Sequence, residues 1–139
     1  MIQKPSTRKK ARRYAMQGIY QWHMSGNGIE EIELQFLESI NQAKVDISYF
    51  REILVNTLLS VKELDELLQP YLNRKFEEVN PVELAVLRLA CYELKSRMDI
   101  PYKVVINEAL ELSKTFGASE GHKFVNGILD KLARQLRPL

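Results

Sequence analysis

Apolar residues recur every three to four positions along nearly the whole chain, and no stretch alternates strictly over more than a few residues. That period belongs to α-helices. A first helix is expected to start after Pro5-Ser6-Thr7, with Ser or Thr as its N-cap. Its core stripe is Ala11, Ala15, Gly18, Ile19 and Trp22, with Tyr14 at the edge. It should stop at Ser25-Gly26-Asn27-Gly28, where two glycines and an asparagine supply left-handed conformations. A second helix carries Ile29, Ile32, Phe36, Leu37 and Ile40, and a third Phe50, Ile53, Leu54, Thr57 and Leu58. A fourth carries Leu64, Leu67, Leu68 and Tyr71, with Pro70 distorting its last turn. The third and fourth divide near Ser60 to Lys62.

Asn80-Pro81-Val82-Glu83 is the clearest boundary: an N-cap, a proline at the first helical position, and a glutamate where a capping box needs one. The fifth helix, over about 81–97, is apolar nearly all round, which predicts a buried centre. After Asp99-Ile100-Pro101, a sixth helix holds Val105, Ala109, Leu112 and Phe116, with Gly117 as its stop. Ser119 is expected to cap a seventh, whose stripe is Val125, Ile128, Leu129, Leu132 and Leu136. The reading is an all-α protein of seven short helices. Two small helical subdomains, 8–78 and 79–139, pack across the central fifth helix, behind a flexible segment over residues 1–7 that lacks apolar anchors.

A length of 139 residues suits one domain, and 45% apolar with 27% charged residues is ordinary for a soluble globular chain. Six Gly and five Pro are too few for a turn-rich β-sandwich or barrel. No apolar run approaches the length of a membrane span, and the basic N-terminus lacks the apolar region of a secretory signal. The single cysteine, Cys91, fits a reducing cytoplasm. The net charge of +2 conceals an asymmetry: Lys4, Arg8, Lys9, Lys10, Arg12 and Arg13 face no acid within residues 1–13, while the remainder is net acidic. A basic arm on an acidic body points to a polyanion, nucleic acid or membrane surface, or else to a solvated tail that aids solubility.

Catalytic and metal-binding constellations are absent. His23 and His122 lie far apart with no partner at ligand spacing, and His23 suits the carbonyls at its helix end. Cys91 sits among apolar residues as an inert buried thiol, and Glu30, Glu31 and Glu33 form a solvated face. No glycine pattern matches a phosphate-binding loop or a dinucleotide fingerprint, so no cofactor is expected.

Two aromatic residues off the core stripes are better clues. Tyr20 lies roughly 140° from Ala15 on a helical wheel, with Arg13 and Lys9 within about 20° of it. Phe124 lies about 100° from the stripe of the seventh helix. A ring beside cations suits single-stranded nucleic acid, on which bases stack while Lys and Arg neutralise phosphates. The alternative for both rings is packing against a neighbouring helix or a protein partner.

Longer motifs carry a family resemblance. Arg8-Lys9-Lys10-Ala11-Arg12-Arg13 with Ala15, Gln17, Tyr20 and Trp22 resembles the start of the NusB family of bacterial transcription antitermination factors. Asn80-Pro81-Val82-Glu83 with Ala85-Val86-Leu87-Arg88 is similar to that family's fifth helix, and Asp99 through Ala109 to its sixth. Lys114-Thr115-Phe116-Gly117 followed by His122-Lys123-Phe124-Val125-Asn126-Gly127-Ile128-Leu129-Asp130 resembles its seventh. The likeness spans the chain.

The resemblance implies a single all-helical RNA-binding domain over residues 1–139. It further implies a cytoplasmic binding factor, not an enzyme, that recognises the boxA element of nascent ribosomal RNA with ribosomal protein NusE. The complex joins RNA polymerase and other Nus factors and suppresses premature termination. Carried over by position, RNA contacts are expected at Arg8, Lys9, Lys10 and Arg12, and at Phe124 and Asn126 with Glu120 and Lys123 beside them. Glu77 and Arg88 match positions near the RNA path, and Arg13 is added from helix geometry. Lys9 and Lys10 stand where arginine is common in relatives, which keeps charge and loses the planar fork. Tyr20 and Glu83 match the surface that meets NusE, although a helix cap also explains Glu83. The chain is expected to be a monomer or a homodimer. The rival readings are a stand-alone NusB-like module in ribosomal RNA maturation, the RNA-binding domain of a ribosomal RNA cytosine methyltransferase, and a protein-only helical scaffold. The chain length argues against the methyltransferase, and the basic arm against the scaffold.

Overall fold

A computed structural model describes residues 5–138; Lys4 and the rest of residues 1–4 lie outside the described residues. The helices are α1 (Pro5–Ser25), α2 (Ile29–Ser39), α3 (Ile47–Leu59), α4 (Val61–Leu68), α5 (Pro81–Ser96), α6 (Tyr102–Phe116) and α7 (Gly121–Leu136). Two 3-10 turns, Gln69–Tyr71 and Phe76–Glu78, link α4 to α5, and no strand occurs among the described residues.

The expected central helix is α5, which packs against α1, α3, α4, α6 and α7. Every residue from Glu83 to Leu94 is buried. Its start follows the local chemistry: the Asn80 side chain accepts hydrogen bonds from the amides of Val82 (2.9 Å) and Glu83 (3.3 Å). Its end is closed from a distance. Arg137, just past α7, donates to the carbonyls of Leu94, Ile100, Glu93 and Arg97. A buried cation thus gathers carbonyls from the last turn of α5 and the loop that follows it.

The first half wraps α1 onto α3 through Ala11, Ala15, Met16 and Ile19, all buried with Phe50, Ile53 and Leu54. A Cβ at Gly18 would stand 2.8 Å from Leu54 Cδ1, so glycine permits that close approach. Chain topology brings the C-terminal half around the other side of α5, where α6 and α7 pack on it and on each other.

Local details depart from expectation. The first helix begins at Pro5, ahead of the expected Ser or Thr cap, so residues 5–7 of the segment read as a flexible arm are helical. Only Gly26 adopts a positive φ (74°) after α1; Gly28 is the extended N-cap of α2. Gly117 does end α6, in an extended rather than left-handed conformation. Glu120, not Ser119, occupies the N-cap of α7, without a side-chain bond. Pro70 falls in the 3-10 turn that follows α4.

Candidate nucleic-acid interface

The basic arm forms the first turns of α1, and the helix divides its cations between two faces. Arg12 points inward at 5% exposure, and its Nε donates to both carboxylate oxygens of Glu93 on α5, at 3.0 and 3.1 Å. The Tyr49 hydroxyl donates to the same carboxylate. Burial opposes the charge on Arg12, but Glu93 and Tyr49 outweigh it and hold the guanidinium protonated. Burial, reinforced by Glu93, pushes the Tyr49 ionisation well above its ordinary range. Arg8 and Arg97 also approach the Tyr49 ring, at 4.3 and 5.0 Å from its centroid. Arg8 further pairs with Asp46 at 3.6 Å. Arg12 is therefore a buried structural cation, a correction to its expected place on the RNA-facing arm.

Lys9 and Arg13 take an adjacent face, about 60–100° round the helix from Arg12, and lie on α6. Lys9 Nζ is 3.0 Å from Glu108, and Arg13 sits 5.8 Å from the ring centroid of the exposed Phe116. The exposed aromatic beside the arm is thus Phe116, not Tyr20. Tyr20 shares the wheel position of Arg13 but lies two turns further on, about 10 Å along the axis, and is partly buried against the core. Lys10 is half-buried and makes no ion pair among the described residues.

Phe124 occupies a second locus. Its ring is half-buried against the core, and Arg74, from the loop between the two 3-10 turns, places its guanidinium 4.2 Å from the ring centroid. Around it on α7, Lys123 pairs with Glu120 at 2.9 Å with both side chains exposed, and Asn126 is exposed. Glu77 is exposed in the same inter-helix segment as Arg74. Arg74 was missed because a lone arginine in a loop carries no periodic signal.

Two further candidates are buried. Arg88 is 6% exposed and forms a bidentate pair with Asp65 (2.9 and 2.8 Å), with Nη1 3.3 Å from His23 Nδ1. Arg88 is thus buried and paired rather than a free surface cation, and His23 meets a guanidinium rather than terminal carbonyls. Burial, then Arg88, lowers the His23 pKa. Glu83 is 5% exposed and is not part of a capping box; its Oε2 accepts from the Ala118 amide at 3.0 Å. The carboxylate lies against Gly117 and Gly121, where added Cβ atoms would stand 3.0 and 2.0 Å from Oε2. Glu83 therefore ties the start of α5 to the turn that launches α7, which carries Phe124.

Other chemistry is sparse. Cys91 is fully buried, and burial pushes its thiol pKa up to about 12. Among the described residues no cluster of His, Cys, Asp or Glu could hold a metal ion, and no helix is long and apolar enough to cross a membrane.

Comparison with known proteins gives this arrangement a context. The sequence profile of the NusB family matches residues 9–134. The transcription antitermination protein NusB of Shewanella loihica is 58% identical over 129 residues, 93% of this chain and 96% of that protein. The protein of the same name from Sodalis glossinidius is 53% identical over 135 residues, covering 97% of each. Among solved structures, NusB of T. maritima superposes with a TM-score of 0.85 at 28% identity, covering 99% of this chain and 96% of that one. A crystal structure of the antitermination factors NusB and NusE in complex with dsRNA has the same fold, with a TM-score of 0.83 at 24% identity over 95% of this chain and 99% of that one. A helical frame matched over its whole length by such relatives leaves one conclusion: the chain belongs to the NusB family of transcription antitermination proteins.

Proposed function

We propose that this protein is a cytoplasmic antitermination factor that binds the boxA element of nascent ribosomal RNA, as a single strand, together with NusE. It acts by binding, within an RNA polymerase complex containing other Nus factors, and catalyses nothing. The observation that carries this reading is the family membership over residues 9–134. Supporting it are two cation–aromatic loci: Arg13 beside the exposed Phe116, and the exposed Arg74 on the half-buried Phe124.

The cations of α1 supply salt-sensitive affinity for phosphates through Arg8, Lys9, Lys10 and Arg13. The Phe124 locus, with Glu77, Glu120, Lys123 and Asn126, reads unstacked bases by stacking and edge hydrogen bonds. Arg12, Arg88 and Glu83 serve as supports, since each is buried and paired. Tyr20 offers part of the NusE surface, and the net acidic body attracts a basic partner. The helical half 8–78 brings the phosphate-holding α1 and the segment with Glu77, and the half 79–139 brings the base-reading α7. RNA touching both proteins at once raises the effective concentration of each for the other.

The test is equilibrium binding of boxA RNA, a scrambled strand and a boxA duplex, with and without NusE, at two salt concentrations. The expected result is preference for single-stranded boxA that tightens with NusE. Equal, salt-sensitive binding to all three, unchanged by NusE, overturns the reading.

A further inference from the structure

Phe124 presents an unusual surface for a base-stacking residue, because a guanidinium already lies on it. Arg74 Cζ is 4.2 Å from the ring centroid, while the ring is half-buried against the core. Arg74 itself is exposed, and among the described residues it makes no ion pair with a carboxylate. It makes a local hydrogen bond, from Nε to Asn73 Oδ1 at 3.3 Å. A cation held by a ring and a neighbouring amide, rather than by an ion pair, is left able to meet a ligand on its outer face. One turn along α7, Gly127 has no heavy atom within 4 Å of where a Cβ would stand, so the helix surface beside Phe124 is open.

We propose that Arg74 and Phe124 form one stacking unit in which the guanidinium is the layer that a base of single-stranded RNA meets, and the phenyl ring is the support that holds it flat. The inference rests on the RNA-binding reading above and adds Arg74 to it as a contact residue. The physical case is planarity. Arginine stacks on aromatic faces, and its delocalised plane stacks bases in turn. A guanidinium laid on a ring anchored in the core has lost part of its freedom before RNA arrives, so less is lost on binding. Lysine carries the same charge but has no plane to offer.

That difference provides the test. Binding of the full chain to single-stranded boxA RNA is measured for wild type, Arg74→Ala, Arg74→Lys, Phe124→Leu and the Arg74→Ala/Phe124→Leu double variant, across a salt series. Circular dichroism and melting check that each variant folds. Arg74→Ala should weaken binding about tenfold, the scale of one stacked base. Arg74→Lys should lose nearly as much while keeping the wild-type dependence on salt. The double variant should bind no worse than Arg74→Ala, because the ring acts through the guanidinium. Wild-type affinity in Arg74→Lys would make Arg74 a phosphate contact and overturn the proposal. Wild-type affinity in Arg74→Ala beside a loss in Phe124→Leu would mean that the base meets the phenyl ring directly, and would overturn it equally. A wild-type protein with no affinity for single-stranded RNA would instead refute the underlying function.

Discussion

Replacing Gly121 by alanine isolates the contact that launches α7. The new Cβ would stand 2.0 Å from Glu83 Oε2 and 2.3 Å from its Cδ. The carboxylate has little room to retreat, being 5% exposed, flanked by Gly117 and bonded to the Ala118 amide at 3.0 Å. Overpacking of this kind costs about 1–3 kcal/mol. If the carboxylate swings away, a charge-assisted hydrogen bond worth about 1.5–3 kcal/mol is lost instead. Against either stands a gain of up to about 1 kcal/mol from alanine's helix propensity. The net expectation is a loss of about 2 kcal/mol, or a melting point lower by roughly 6 °C for a domain of this size. Gly127→Ala, on the same helix with nothing within 4 Å, is the control. It should stabilise by about 0.5–1 kcal/mol. Urea and thermal unfolding monitored by far-ultraviolet circular dichroism give both values. In a Glu83→Ala background the Gly121→Ala change should be nearly free, a coupling of at least about 1 kcal/mol. Equal signs for the two glycine variants, or no coupling to Glu83, would refute the role assigned to that carboxylate.

Other expectations are simpler. Arg12→Met removes the partner of a carboxylate that is 2% exposed and should destabilise by about 3–5 kcal/mol; urea unfolding measures it, and a stable variant that merely binds RNA poorly would restore Arg12 to the interface. Lys9→Ala should weaken all single-stranded RNA alike and reduce the salt slope by about one, read from binding across a salt series. The His23 pKa lies below its ordinary 6.5, so the unfolded chain binds the proton more tightly and stability should fall as pH drops through 6.5; His23→Gln should flatten that part of the stability–pH profile. Cys91 should resist alkylation at pH 8 in the native protein and react promptly in denaturant, because burial lifts its thiol pKa to about 12.

Much of the architecture was legible in the chain. The asparagine–proline start of α5, its all-round apolarity and the weak break at Ser60 each appear where local chemistry put them. The site was less legible. Arg12 read as one cation of an exposed arm, yet on a helical wheel it lies within about 20° of Ile19, in the core stripe. Charge count overrode periodicity, and periodicity was the better guide. Arg88 sits in the most apolar segment of the chain, and the Asp65 that compensates it lies 23 residues earlier on another helix.

The sequence alone determined the helices, their order and the central place of α5, because caps, breakers and apolar spacing act over a few residues; the family resemblance rested on longer motifs. Tertiary structure decided what the charged and aromatic residues do. Whether a cation faces solvent or a carboxylate depends on which helix lies opposite, and Glu93, Asp65 and Arg74 come from distant segments. Glu83 makes the same point: its position promised a local cap, but burial beside two glycines made it the tie between α5 and the start of α7.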